Sequence, residues 1–327
     1  GTALPGSYGS IVIAGTQTPV SIASQGGEIG GMIDLRDNKL ETYINQLDNL
    51  AANLIFSVNQ LHSNGASPIH HTSITAEQSS NAALAVDNAT QAAAFASQIQ
   101  SGSFKLHVYD NTGAAISAGG TTISITAGTS TMTSIAASIN AVVGVTASID
   151  RTGHLNIAAA TGNTFSLSND TSNVLAAYEI NNFFHGGNAA SIKISNNIAN
   201  NASAINTGQV DATTSAIYVA DNSIALSILA LQNTALNVEG GATSASLHDR
   251  TTTLSTQYGT DVGIAKQQKD FRTVELQSLQ NQRQAISGVN VDEELISMIK
   301  FQRAYQASAK IITTSNQMLD SLLGLIR

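Results

Sequence analysis

"GVNVDEELISMIKFQRAYQASAKIITTSNQMLDSLLGLI", residues 288–326, reads as one long helix. Leu295, Met298, Gln302, Tyr305, Ala309, Ile312, Asn316, Leu319, Leu323 and Ile326 recur at alternating spacings of three and four without a break. A helix places such positions on a single face, and a run of about four heptads is long enough for a coiled coil. Asp292, Glu293 and Glu294 fall in the first turn, where carboxylates meet the helix dipole and its unpaired amides. An isolated helix with a strict apolar seam is marginal in water, so packing against a partner must stabilise it. The seam predicts an assembly surface and not a part of the core of residues 1–287. Gln302 and Asn316 interrupt it: buried amides fix register in coiled coils, while tight Ala, Ser and Gly spacing would turn them to solvent, and both readings stay open.

Working backwards, the same helical spacing recurs twice. Leu254, Tyr258, Val262, Ala265, Leu276, Leu279 and Ile286 sit near a common stripe within 244–286, and a shorter helix is expected over 215–237. Near the start, Ile33, Leu40, Ile44, Leu47, Leu54, Val58 and Leu61 mark one face of a helix of about thirty residues, interrupted at Asp37. That face predicts a bundle with the helices of 215–286. "HSNG" at 62–65 ends the helix, with Gly65 placed for a left-handed cap.

Between these helices the period changes to two. "FKLHVYD" sets Phe104, Leu106 and Val108 on one side, and "TISIT", "VTASID", "LNIAA" and "FSLS" repeat the alternation. "DNTG" and "DRTG" supply turns, and a short helix is expected around Met132–Val142. The fold class is therefore α+β: an elongated bundle of long helices, an inserted β-rich domain and a carboxy-terminal coiled-coil-forming helix. The expected divisions are 1–65 (short strands, then a long helix), 66–100 (an alanine-rich helical connection), 101–207 (an outer β-rich domain), 208–287 (returning helices) and 288–327 (the axial helix).

Composition narrows the function. Charged residues make up 11% of the chain, the net charge is -8, and Lys105, Arg151 and Lys193 are the basic residues between Lys39 and Arg250. Nucleic-acid binding needs clustered Lys and Arg, so it is not expected. Cysteine is absent, which removes disulfides and thiolate chemistry. No apolar run is long enough to insert in a membrane, and residues 1–10 lack the features of a signal peptide. The adjacent pair His70-His71 points its rings apart, so a surface loop is expected there and no metal site. The pairs Gly26-Gly27 and Gly30-Gly31 lack phosphate-loop spacing, no GxSxG elbow is present, and the three Asn-x-Ser/Thr triplets match the chance level of so Asn-rich a chain. No catalytic residue, cofactor or metal is expected.

"SGVNVDEE" at 287–294 with "FQRAYQASAKIITTSNQMLDSLL" at 301–323 resembles the carboxy-terminal region of bacterial flagellar rod, hook and hook-associated proteins. "GGEIGGMIDLRDNKLETYINQLDNLAANLIFSVNQLHSNG" at 26–65 is similar to an internal helix of the hook-associated branch. "YEINNFFHGGNAASIKISNNIANNASAINTG" at 178–208 is similar to the end of that branch's middle domain. The resemblance implies a structural subunit at the hook–filament junction, exported through the flagellum's own channel without a cleaved signal peptide. It implies an extracellular location and, as partners, copies of itself in a ring, neighbouring hook and hook-associated proteins, and an export chaperone. It also implies a further amino-terminal helix as the seam's coiled-coil mate, with no counterpart in residues 1–65. A hook or distal-rod subunit is the alternative within that machinery. An extracellular adhesin or carbohydrate-binding module built on the Ser/Thr-rich strands is the alternative from another class.

Overall fold

A computed structural model describes residues 27–237, 244–288 and 290–324. The strands expected over 1–27 fall outside the described residues, and Gly27 already opens a helix. In chain order the elements are α1 (Gly27–Asp34), α2 (Glu41–Ser63), β1 (Ser73–Thr75), β2 (Gly102–Tyr109), β3 (Thr121–Ile125), α3 (Met132–Asn140), β4 (Val145–Ile149), β5 (Leu155–Ala159), β6 (Thr164–Ser168) and α4 (Val174–Ala177). After them come β7 (Phe184–His185), β8 (Lys193–Ile194), α5 (Asn196–Asn200), α6 (Ser223–Ala230), α7 (Leu247–Ser287) and α8 (Val291–Gly324). The chain divides into two compact units, one up to Thr256 and one from Gln257.

In the first unit, α1 and α2 are joined by a π-helical segment, Leu35–Leu40. The break in apolar spacing around residue 37 thus has a structural cause: a π turn takes up one extra residue and shifts the stripe. Asn38 Nδ2 donates to Asp34 Oδ1 at 2.7 Å, and Thr42 Oγ1 donates to the Asn38 carbonyl at 2.7 Å. Beyond it α2 has two halves. Leu40, Ile44 and Leu47 are exposed, whereas from Ala51 the helix is buried on most sides, with Ala52, Ile55, Phe56, Asn59 and His62 all inaccessible or nearly so. Its packing partners are α4, α6 and β7. Of the bundle expected with the helices of 215–286, what this unit shows is the packing of α2 against α6. That helix is itself shorter than the expected 215–237, because 210–222 turns back through a bridge between Val210 and Ile217.

Gly65 corrects another expectation. It does not take a positive φ; a Cβ there would lie 2.9 Å from Asn206 Cβ, 3.0 Å from Ile224 Cγ1 and 3.1 Å from the Gly208 carbonyl. Glycine is required by close approach of three segments and not by a left-handed cap. His62 lies alongside: its Nε2 accepts the Asn206 N–H at 2.9 Å and its Nδ1–H donates to the Asn181 carbonyl at 2.9 Å. Burial lowers its pKa to about 4, so the ring is held neutral.

Two antiparallel three-stranded sheets form the middle of the unit, ordered β3-β2-β6 and β1-β5-β4. Phe104, Leu106 and Val108 of β2 are buried with Phe165 and Leu167 of β6, and α3 adds Met132, Ile135 and Ile139 to the same core. A capping box starts α3, in which Thr131 Oγ1 accepts from the Ser134 N–H and Ser134 Oγ accepts from the Thr131 N–H. The two turn motifs are built alike. Asp110 Oδ1 accepts the Thr112 N–H and Ala114 N–H, Asp150 Oδ1 accepts the Thr152 N–H and His154 N–H, and Gly113 and Gly153 take φ of +81° and +89°. The Thr152 hydroxyl also donates to Asp150 Oδ1 at 2.7 Å, and this bond first, then the backbone N–H bonds, favours the ionised carboxylate and pulls the Asp150 pKa down to about 2.

The expected boundaries at 66, 100 and 207 do not follow the packing. Residues 66–100 are turns and bridges and not a helical connection; a 3-10 turn, Ala96–Gln98, is the one helical piece described there. Ala76, Ala93 and Ala96 are buried in the core shared by α2 and both sheets, and β1 pairs with β5. Alanine's helix propensity is overridden because its small side chain lets irregular backbone pack closely. The loop's polar groups are met by Gln91, whose Oε1 accepts the Asn81 N–H at 2.8 Å and whose Nε2 donates to the carbonyls of Asn81 and Ala85. His70 and His71 lie half-buried in a loop between exposed residues, their rings turned toward the sheet. The His70 ring lies 3.8 Å from the Tyr109 ring at a tilt of 36°, and burial lowers the His71 pKa to about 4.

The second unit contains most of α7 and all of α8. From Val262 onward the described side chains of α7 are exposed, and every described residue of α8 is exposed. The α+β class stands, with the long helices contributing no buried side chain among the described residues of this unit.

Candidate assembly surface

The helix α8 is 34 residues long and is capped by Asn290. Asn290 Oδ1 accepts the Asp292 N–H at 3.1 Å and its carbonyl accepts the Glu294 N–H at 3.0 Å. Asp292, Glu293 and Glu294 occupy the first turn, beside the remaining free amides. Leu295, Met298, Gln302, Tyr305, Ala309, Ile312, Asn316, Leu319 and Leu323 lie along one stripe and are all exposed, Tyr305 at 78%. Ile326 lies outside the described residues. Gln302 and Asn316 are exposed too.

A straight helix of 3.6 residues per turn drifts about 20° per heptad from a 3.5-residue repeat. The stripe therefore winds slowly around α8, and a partner can follow it only by supercoiling. The polar residues beside it tolerate burial. Thr313, Thr314 and Ser321 return their hydroxyl protons to the carbonyls of Ala309, Lys310 and Gln317 at 2.8, 2.8 and 2.9 Å. Other helical segments also expose apolar residues, among them Ile29, Met32 and Leu35 near the amino end, and Phe271, Val274, Leu276 and Leu279 in α7.

A polar cluster in the first unit escaped the sequence reading. Glu77 follows β1, Glu179 follows α4, and His185 ends β7. His185 Nδ1 lies 2.5 Å from Glu179 Oε2 and 3.1 Å from Glu77 Oε2. Glu179 is fully buried, and burial raises its pKa above the usual carboxylate range. Glu179 and His185 are six residues apart in "YEINNFFHGG", but Glu77 is remote in sequence and no spacing links the three.

Comparisons with known proteins match three parts of this chain. The Flagellar hook-associated protein FlgK helical domain matches residues 5–68, the Flagellin hook IN motif matches 103–161, and the Flagellar basal body rod FlgEFG protein C-terminal family matches 280–325. These ranges contain α1 and α2, the strands β2 to β5 with α3, and α8. The class so defined is that of the flagellar rod, hook and hook-associated proteins, and the chain resembles it at its beginning, middle and end. Within that class the resemblance is to flagellar hook-associated protein 1. The Salmonella typhimurium protein of that name is 32% identical over 105 residues, covering 32% of this chain and 18% of the relative. The Escherichia coli one is 33% identical over 105 residues, covering 32% and 19%. The Flagellar basal-body rod protein FlgG of Buchnera aphidicola is 56% identical over 36 residues, 11% of this chain and 14% of that protein. The matched region is thus less than a fifth of each of these relatives. Residues 178–208 lie outside the three matched family ranges.

Proposed function

We propose that this chain is a structural, non-catalytic subunit of the bacterial flagellum that joins hook to filament. The observation that carries the reading is α8: a capped helix of 34 residues with an unbroken heptad stripe and no buried residue. Burying a Leu or Ile side chain contributes about 1.5–3 kcal/mol, so a stripe with Leu295, Ile312, Leu319 and Leu323 favours association strongly once a supercoiling helix is supplied. The partners in this reading are copies of the chain arranged in a ring, neighbouring hook and hook-associated proteins, and an export chaperone. Export runs through the flagellum's own channel without a cleaved signal peptide, and the assembled protein is extracellular.

The match to a rod protein supports a second reading, a hook or distal-rod subunit. The match of residues 5–68 to a hook-associated domain favours the first. One experiment separates them. In a cell that makes only the double variant Leu319→Asp/Leu323→Asp, a junction role predicts hooks without filaments by electron microscopy, while the melting transition of the purified chain stays within about 1 °C. Loss of hooks as well would assign the chain to rod or hook. Normal filaments, or an equally large loss of fold stability, would remove α8 as the assembly surface.

A further inference from the structure

We propose that Glu77, Glu179 and His185 form a binding site for a divalent transition-metal cation, with Zn2+ and Mn2+ the ions best matched to its donors. The three ligand atoms, Glu77 Oε2, Glu179 Oε2 and His185 Nδ1, lie within 4.8 Å of one another. They come from three separate segments, and the chemistry of their meeting is unbalanced: two carboxylate oxygens face one ring nitrogen, which carries at most one proton. Glu77 Oε2 is sealed from solvent and accepts no well-formed hydrogen bond; its approach to His185 Nδ1, at 3.1 Å, competes with the shorter one to Glu179. A buried carboxylate oxygen without its own donor is costly.

What holds the two glutamates is as informative as what they lack. The other oxygen of each is already committed. Glu77 Oε1 accepts from Ser195 Oγ at 3.0 Å and from the Asn196 N–H at 2.7 Å. Glu179 Oε1 accepts from Gln78 Nε2 and from the Gly186 N–H, both at 2.9 Å. Each carboxylate is therefore oriented through one oxygen and presents the other to a shared point, the arrangement by which outer hydrogen bonds set metal ligands. Imidazole nitrogen with carboxylate oxygen suits Zn2+ and Mn2+, whereas Ca2+ and Mg2+ prefer oxygen alone. The remaining coordination positions would be filled by water from an adjoining cleft of about 490 Å³, lined by Glu77 and His185 together with Ser73, Thr75 and Asn197.

Binding uses the Nδ1 lone pair and one oxygen of each carboxylate, with the ring proton of the loaded site on Nε2. The ion would tie the segments after β1 and α4 to β7, a structural role independent of the flagellar reading. The test is titration of the chelator-treated chain with Zn2+ and Mn2+ by calorimetry, with melting curves in parallel. The expected result is one site per chain, a raised Tm on loading, and at least 100-fold weaker binding in Glu179→Gln, Glu77→Gln and His185→Gln. The double variant His70→Gln/His71→Gln should bind as before. Should one of the three ligand variants fail to fold, the other two decide. Absence of binding tighter than millimolar to the folded chain, or binding that persists in the ligand variants, would overturn the proposal.

Discussion

The core built around β2 and the helix α8 are made from similar apolar residues and use them in opposite ways. In the first, Leu106 and Phe165 are inaccessible, packed among side chains that arrive from α2, α3 and the loop at 66–100. In the second, Leu319 and Leu323 have equal hydrophobicity and remain exposed. Apolar content therefore does not decide what is core. Long-range closure does: the β region brings distant segments together, while α8 satisfies its backbone internally and leaves its stripe for something else.

The largest effect expected from this contrast comes from matched truncations. Leu106→Ala should destabilise the chain by about 2–5 kcal/mol in urea denaturation, since it opens a cavity in a closed core. Leu319→Ala should cost less than about 0.5 kcal/mol in the same measurement. Similar losses at both positions would erase the distinction.

Acid should discriminate the regions next. His107 is buried, with Nδ1 2.7 Å from Ser215 Oγ and Nε2 2.8 Å from Ser168 Oγ, and burial, with Lys105 nearby, lowers its pKa to about 4. Its pKa is lower folded than unfolded, so the unfolded chain binds the proton first. Stability should therefore fall as pH drops from about 6.5 toward 4, by up to about 3 kcal/mol for this group. His62 and His71, lowered in the same way, steepen the loss. His107→Gln should flatten the profile of denaturation midpoint against pH; an unchanged slope would count against the assignment. Helicity from α8 should be insensitive over the same range. A smaller effect is expected from Gly65→Ala, about 1–3 kcal/mol, because its Cβ meets Asn206, Ile224 and the Gly208 carbonyl. A neutral result by thermal melting would mean that these segments separate easily.

What was legible in the sequence was local. Asp110 with Gly113 and Asp150 with Gly153 specify their turns within four residues, and the alternation of Phe104, Leu106 and Val108 marks β2 without outside help. The heptads of α8 likewise need only their own spacing. The alanines at 76, 93 and 96 misled because propensity is a local measure and their burial is set by distant partners. Gly65 was right in identity and wrong in cause, since the clash it avoids comes from residues more than 140 positions away. Glu77, Glu179 and His185 were invisible for the same reason: their chemistry exists only after β1, α4 and β7 are in place. The exposed half of α2 was predicted to be covered, because an amphipathic stripe reports that a partner is needed without saying which.

The absence of cysteine gives the central claim a direct test. A Leu319→Cys variant carries one thiol, on the stripe of α8. Its rate of maleimide labelling should be that of a free surface thiol in the purified chain and should fall at least 100-fold in intact flagella, where a supercoiled partner covers the stripe. Labelling at the same rate in both states would show that α8 stays bare after assembly and would contradict the account.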